Sequence, residues 1–302
     1  MLKEWPLVAF TIAGQMAAGA FLLLSPLLFL SPAGTAWNPT ARGTALVVWG
    51  TAFGLIAIAA GLSFFHLHHP FRAYRALANF RTSWLSREIF FELAFMAFVA
   101  LAFVLVWTGH TTGSFLRTVM AAAAIAAILF LVSMSRLYGL GSVPPWDPAY
   151  IGMSFFLTTV ILGAMATAWV TKSPLGDRRS YLSELWAASF FFIAADVVFA
   201  VFVTPVYGLV GYRPTPSLRP PARVRRLLHL GRLALLAGGL LLIILAKAAE
   251  IPGASGGFGS ATMAVKMASP SGPLLTLAFV LVLLGEVAGR FLFYGLVPRP
   301  GD

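Results

Sequence analysis

The sequence predicts an all-α fold, a polytopic bundle of eight transmembrane helices, and three observations support this prediction. Hydrophobic residues make up 59% of the 302 residues, charged residues make up only 10%, and long apolar segments recur along the whole chain. A soluble domain needs roughly 25% charged residues to cover its surface. The composition therefore excludes a soluble protein and predicts a single integral-membrane domain over residues 1–302.

Eight segments have the length that crosses a bilayer as a helix, which is about 20 mostly apolar residues. In chain order, the predicted spans are 5–30, 44–66, 88–108, 115–138, 149–171, 183–207, 228–248 and 273–297. The segments that separate them are SPAGTAWNPTARG, the arginine-rich stretch 67–87, TGHTTGS, GLGSVPPWD, KSPLGDRRS, GYRPTPSLRPPARVRR and AEIPGASGGFGS. Their proline, glycine and charged residues end each apolar run. The first span is too long for the apolar core of a signal peptide, so we interpret it as a retained helix.

The basic residues predict an orientation. We define side A as the side of the membrane that holds both termini and the loops between spans 2 and 3, 4 and 5, and 6 and 7. Two thirds of the 21 Lys and Arg residues lie on side A. Because Lys and Arg accumulate in cytoplasmic loops, we expect both termini in the cytoplasm and the chain in the bacterial inner membrane. The net charge of +11 is then explained without a nucleic-acid partner.

Ionisable residues near membrane depth cost about 2.5–3.5 kcal/mol each on lenient insertion scales, which makes them functional candidates. They are His66, Glu88, Glu92, Arg136, Asp196, Glu286 and Arg290, and all except Asp196 lie toward side A. Glu286 and Arg290 are four residues apart on one helix face, so we expect them to pair, with Arg136 nearby. These residues and Asp196 are candidates for structural roles or for a proton path. The spacings Gly50–Gly54 and Gly285–Gly289 predict close helix packing and no chemistry.

Three histidines within four residues, His66, His68 and His69, raise the alternatives of a metal site and a haem site. Adjacent side chains point in different directions, so His68 and His69 fit loop residues better than a tetrahedral metal site. A haem held by two histidines would need His229 to face His66, and this alternative stays open, although we expect no haem and no metal site. The protein has no cysteine, which excludes clusters held by its own thiolates.

His66 and Glu88 indicate quinone chemistry. His66 ends the second span, and Glu88 opens the third at the same depth. An imidazole can donate to a ligand carbonyl and exchange protons near neutral pH, and a carboxyl group can accept a proton. A quinone head has two carbonyl oxygens and exchanges two electrons with two protons, so it needs both kinds of group.

Several segments, taken in chain order, carry a resemblance to a known family. They are Glu4-Trp5-Pro6-Leu7, His66-Leu67 with Pro70 and Arg72-Ala73, Ser86 with Glu88-Ile89, Arg136 with Tyr138 and Trp146, and Gly285-Glu286 with Gly289-Arg290 and Phe293-Tyr294-Gly295. In this order they resemble the DmsC family, the membrane anchor subunits of dimethyl-sulfoxide-reductase-type molybdoenzymes. The resemblance runs over nearly the whole sequence.

The resemblance implies an anchor that exchanges electrons between menaquinone or ubiquinone and a docked iron–sulfur subunit, which in turn holds a molybdopterin catalytic subunit. The family's quinol-site His and Glu fall on His66 and Glu88, and we assign Arg72, in the loop between them, to the same site. The molybdopterin and the iron–sulfur clusters belong to the partners. The protein is therefore expected to have no catalytic residue for the substrate half-reaction.

Two function classes are compatible with the sequence. The first is the quinone-site anchor, with partners on side A. Cytoplasmic partners favour the sulfite-oxidising type of complex, SoeABC-like, with quinone reduction, and the alternative is the anchor of an exported sulfoxide-type reductase that uses menaquinol. The second class is a secondary transporter. Such folds show inverted repeats and interrupted helices, which this sequence lacks, and only Asp196 indicates a site at the midplane.

Overall fold

A computed structural model describes the protein at residues 5–29, 37–66, 79–139, 148–171, 179–209, 222–249 and 271–294. A few side chains inside helices, among them that of His66, lie outside the described part. The described regular structure consists of eight α-helices. They are α1 Trp5–Phe29, α2 Pro39–His66, α3 Trp84–Trp107, α4 Ser114–Tyr138, α5 Pro148–Val170, α6 Arg179–Leu209, α7 Ala222–Ala248 and α8 Ser271–Tyr294.

All eight helices are long and apolar enough to cross a membrane, which confirms the predicted fold class. The protein is a multi-pass membrane protein. Because the number of spans is even, α1 begins and α8 ends on the same side, which is side A. The first turns of α3, α5 and α7 and the last turns of α2, α4 and α6 lie on side A as well.

Several helices begin earlier than the hydropathy predicts, and in α2 and α3 a polar cap lies at the earlier start. Helix α2 starts at Pro39, where the side chain of Asn38 accepts a hydrogen bond of 2.7 Å from the amide of Ala41. Helix α3 starts at Trp84, where Ser83 accepts one of 3.3 Å from the amide of Ser86. Each cap satisfies an amide that has no partner within its helix. A count of apolar residues misses these first turns.

The centre of the bundle is the crossing of α1 and α5, the two most buried spans. Gly19 of α1 lies directly against Gly163 and the carbonyl of Thr159 on α5, and neither glycine has room for a Cβ atom. Small residues allow such close backbone approach in membranes, where packing replaces the hydrophobic effect between helices. The sequence analysis did not identify this pair, because its two glycines lie on different helices.

Helices α7 and α8 form a closely packed pair. A Cβ on Gly285 would lie 3.1 Å from the side chain of Leu236, and one on Gly289 would lie 2.9 Å from Nε of Arg232. The packing predicted for Gly285–Gly289 is therefore confirmed. Gly50 also packs closely, since a Cβ there would lie 3.1 Å from the ring of Phe103 on α3, whereas Gly54 has nothing within 4 Å among the described residues.

Candidate functional site

Four aromatic residues pack together at the side-A end of α4, α5 and α8, and we call Tyr138, Phe155, Phe293 and Tyr294 the aromatic cluster. The ring centroid of Tyr138 lies 5.3 Å from that of Tyr294 and 6.1 Å from that of Phe155. Phe293 lies 5.9 Å from Phe155. The rings are inclined to one another, as aromatic pairs prefer. Tyr138 and Tyr294 are the last residues of their helices, so the cluster marks where the bundle meets side A.

Glu88 lies beside this cluster, one turn from the start of α3. Only 2% of the residue is exposed, and its Oε1 has no hydrogen-bond partner among the described residues. Its carboxyl group interacts electrostatically with both Tyr138 and Tyr294. A buried carboxyl without a cation is expensive in a membrane and is therefore a functional candidate.

Glu92 lies one turn deeper on the same buried face of α3. The residue is 3% exposed, and its Oε1 also has no hydrogen-bond partner among the described residues. The face that these two residues occupy continues along the helix through Phe95, Val99 and Ala102, and it packs into the bundle. The two carboxyl groups interact with each other electrostatically.

The other residues of the predicted quinone site are only partly placed. His66 is the last residue of α2, but its side chain lies outside the described part of the structure. Arg72 and the loop histidines His68 and His69 lie outside the described residues altogether. His229 is half-buried near the start of α7. The assignment of His66 and Arg72 and the absence of a haem therefore remain predictions.

Arg290 connects the aromatic cluster to a second group of buried residues, the polar network, which consists of Gln15, Thr158, Asp196, Arg232, Glu286 and Arg290. The Nη2 of Arg290 donates hydrogen bonds of 2.8 Å to Oε1 of Gln15 and 3.1 Å to the hydroxyl of Thr158. Its guanidinium carbon lies 3.8 Å from the ring centroid of Phe155. A guanidinium above an aromatic face gains electrostatic stabilisation. Arg290 thus joins α8 to α1 and α5.

The other half of the network joins α6, α7 and α8. Nη2 of Arg232 donates a hydrogen bond of 2.6 Å to Oδ2 of Asp196 and lies 3.8 Å from Oε1 of Glu286. The second carboxylate oxygen of Glu286 accepts a hydrogen bond of 2.7 Å from Thr158. Two acidic and two basic side chains therefore compensate one another, as expected for charged groups that hold a bundle together.

The prediction that Glu286 and Arg290 form a direct ion pair is wrong. The hydroxyl of Thr158 lies between them: it donates a hydrogen bond to Glu286 and accepts one from Arg290. The ion-pair partner of Glu286 is Arg232 of α7. Arg136 does not join the network: its side chain is exposed on the last turn of α4. Asp196, expected to stand apart from the side-A residues, is part of the network.

Comparison with known proteins gives the family. The model of the DMSO reductase anchor subunit (DmsC) family matches residues 1–209, which is more than half of the sequence. The protein belongs to this family. The family of the predicted resemblance is thereby confirmed, and the protein is a membrane anchor subunit of the DMSO reductase type.

Relatives of this anchor family extend the match to nearly the whole sequence. The C component of the anaerobic dimethyl sulfoxide reductase of Escherichia coli K12 is 26% identical over 97% of this protein and 94% of its own length. The component of the same name from Haemophilus influenzae is 26% identical over 98% of this protein and 95% of its own length. The C component of the sulfite dehydrogenase of Allochromatium vinosum is 52% identical over 52 residues, which is 17% of this protein and 16% of its own length. No solved structure matches.

Sequence reasoning missed part of this anchor's buried chemistry. Gln15 and Thr158 are uncharged, so a search for ionisable residues passes over them. Arg232 stands ten residues after the start of α7, in a helix whose arginine-rich first turns look like a loop. The signal that could have identified it is the apolar sequence on both sides, which places a single arginine within the membrane-spanning part.

Proposed function

We propose that this anchor performs the quinone half-reaction of a heterotrimeric molybdopterin and iron–sulfur oxidoreductase. One observation supports the proposal above all others: Glu88 is a buried carboxyl without a cation partner among the described residues, and it lies beside the aromatic cluster at side A. The ionisable residues of the polar network compensate one another and need no further function. Glu88 has no compensating charge among the described residues, so its cost to stability requires another reason.

The residues around Glu88 fit a quinone head. The flat ring can pack against the side chains of Tyr138 and Tyr294, in the offset or edge-on arrangements that aromatic groups prefer. The carboxyl group of Glu88 exchanges a proton with the ligand, and the imidazole of His66, at the end of α2, is the donor to a carbonyl oxygen. Arg72, in the following loop, completes the proposed site. When bound, the quinone supplies a two-electron, two-proton couple.

The electrons must come from another subunit, because this protein has no cysteine with which to hold a cluster. We assign that role to an iron–sulfur subunit docked on side A, over Glu88 and the aromatic cluster, with a molybdopterin catalytic subunit bound to it. Docking there excludes water from the site and leaves it accessible from the lipid. The relatives named as components of dimethyl sulfoxide reductases support partners of this kind.

For the substrate, we favour sulfite oxidation with quinone reduction. Side A holds two thirds of the basic residues, which favours cytoplasmic termini and cytoplasmic partners in the bacterial inner membrane. The local identity of 52% to a sulfite dehydrogenase component agrees with this choice. The alternative is an exported sulfoxide-type reductase that uses menaquinol, and the nearly full-length match to the E. coli reductase component favours it.

The substitution Glu88→Gln tests the proposal in the assembled complex. It keeps the shape of the side chain but removes the exchangeable proton, so quinone-linked turnover should fall by two orders of magnitude or more, within the range of general acid–base catalysis. Dye-linked turnover of the catalytic subunit should stay unchanged. Ser133→Ala is the control, since it removes a buried hydroxyl at similar depth on α4. Unchanged quinone-linked turnover in Glu88→Gln would refute the proposal.

A further inference from the structure

Glu92 is, like Glu88, a buried carboxyl without a cation partner among the described residues, and the proposed quinone reaction as described so far does not use it. Its Oε1 is buried and has no hydrogen-bond partner among the described residues, and no described cation lies within 4.0 Å of the carboxyl. The contrast with Glu286 is informative. Oε1 of Glu286 also lacks a hydrogen bond, but Oε2 of Glu286 accepts one from Thr158 and Arg232 lies 3.8 Å from its Oε1. Among the described residues, Glu92 has neither a hydrogen-bond donor nor a cation of this kind.

The position of Glu92 relates it to Glu88. The two residues are four apart on one helix, so they lie on the same face, about 6 Å apart along the axis. Both belong to the buried face of α3, and their carboxyl groups interact electrostatically. Glu88 is the nearer of the two to side A, so the pair is ordered along α3 from side A toward the membrane interior.

We propose that Glu92 is a proton-relay residue that acts in series with Glu88, an inference that rests on the proposed quinone function. Reduction of one quinone to quinol takes two electrons and two protons. The electrons come from the iron–sulfur subunit. Glu88 gives its proton to the carbonyl oxygen that it faces and is reprotonated by Glu92, while the other oxygen takes the second proton from side A through its assigned donor, His66. Glu92 then regains a proton from side A through Glu88.

The reverse reaction uses the same groups. Oxidation of a quinol delivers its two electrons to the iron–sulfur subunit, one hydroxyl proton to Glu88 and the other to His66. The proton on Glu88 exchanges with Glu92, and protons then leave to side A from Glu88 and His66. An uncompensated carboxylate is costly at this depth, so neither residue holds a charge for long, and this favours rapid proton transfer between them.

The charged and titratable groups around the pair fit this order. On α4 and α8, Tyr138 and Tyr294 interact with Glu88, and Arg290 interacts with both tyrosines. For Glu92, the electrostatic neighbour that the described residues provide is Glu88 itself. Glu92 is thus connected to the rest of the site through Glu88.

The test is infrared difference spectroscopy of the intact complex in lipid, with quinone reduction triggered by the catalytic substrate. The wild type should show two components in the carboxyl C=O region that shift in heavy water. Glu92→Gln should remove one component and Glu88→Gln the other. Ser133→Ala should keep both. A wild-type spectrum with one carboxyl component, or a Glu92→Gln spectrum identical to that of the wild type, would overturn the proposal.

Kinetics provide a second readout. Glu92→Gln should lower kcat with quinone by about tenfold or more and enlarge the solvent isotope effect, with an unchanged KM, because the ligand does not touch Glu92. Glu92→Asp, which keeps the carboxyl, should restore most of the rate. A raised KM with an unchanged kcat would instead indicate a structural role. If the wild type shows no quinone-linked turnover, the proposed function itself fails; if only Glu92→Gln behaves as wild type, the relay alone fails.

Discussion

Arg232 donates a hydrogen bond of 2.6 Å to Asp196 and so fastens α7 to α6 inside the bundle. The same guanidinium group lies 3.8 Å from the carboxylate of Glu286 on α8. A single arginine therefore holds three helices, and its charge is compensated on both sides. This arrangement gives a clear expectation for what happens when one partner is removed.

Replacement of Arg232 by methionine leaves two buried carboxylates without their cation. Breaking a buried ion pair on one side typically costs about 3–5 kcal/mol. We expect Arg232→Met to lower the midpoint of thermal unfolding of the purified complex and the yield of assembled complex. The double variant Asp196→Leu/Arg232→Met removes one charge of each sign and should be the more stable of the two. Equal stability of the single and double variants would contradict the ion-pair assignment.

Gly289 provides a steric test of the same arginine. A Cβ at this position would lie 2.9 Å from Nε of Arg232, so Gly289→Ala must displace the guanidinium group. Overpacking of this kind costs about 1–3 kcal/mol. Gly54→Ala is the matched control, because that glycine is also helical but faces open space. We expect the unfolding midpoint to fall for Gly289→Ala and to stay level or rise for Gly54→Ala.

Arg42 of α2 caps the opposite, side-B end of α3. Its Nε and Nη2 donate to the carbonyls of Val106 and Trp107, at 3.0 and 2.6 Å. The carbonyl of Val106 also accepts a hydrogen bond of 3.1 Å from the amide of Gly109, and cationic donors at a helix C-terminus are favourable. Arg42→Met should lower stability by about 1 kcal/mol. Arg42→Lys should lower it by less, because the cation stays at the helix C-terminus, but not by zero, because one ammonium group cannot reach both carbonyls as a guanidinium can. An unfolding midpoint unaffected by Arg42→Met would show that the cap contributes nothing.

The sequence was sufficient to predict the number of helices and the ionisable residues that lie within the membrane, because both predictions depend on local hydropathy. Glu88, Glu92, Asp196, Glu286 and Arg290 all stand in apolar surroundings along the sequence and are all buried in the bundle. Their partners could not be predicted. Which residue faces Glu286 depends on how α5, α7 and α8 pack, and the spacing of four residues to Arg290 indicated the wrong neighbour.

The exposed state of Arg136 has a similar explanation. The residue belongs to α4 and stands two positions before Tyr138, which is buried. Side chains two positions apart on a helix project in roughly opposite directions, so Arg136 faces the surface of the bundle while Tyr138 faces its interior. Sequence alone gives the depth of such a residue but not the direction it faces, and direction decides between an intramembrane charge and an interfacial one.

The orientation prediction is checked with reporter fusions at the C-terminus. We expect cytoplasmic reporter activity after Asp302, because side A holds most of the basic residues. A second fusion in the turn between α3 and α4, at His110 on the opposite side, should report the periplasm and serves as the internal control. Periplasmic activity at Asp302 would reverse the orientation, and the exported sulfoxide-type reductase would then replace sulfite oxidation as the proposed activity.

The most direct test of the central claim is photo-crosslinking of the intact complex with a photoreactive quinone analogue, followed by mass spectrometry of the labelled peptides. We predict labels on the side-A ends of α3, α4 and α8, around Glu88, Tyr138 and Tyr294, and their loss when unlabelled quinone is in excess. Labels that compete with quinone but fall only on the side-B ends of the helices, or only on a partner subunit, would contradict a quinone site at Glu88.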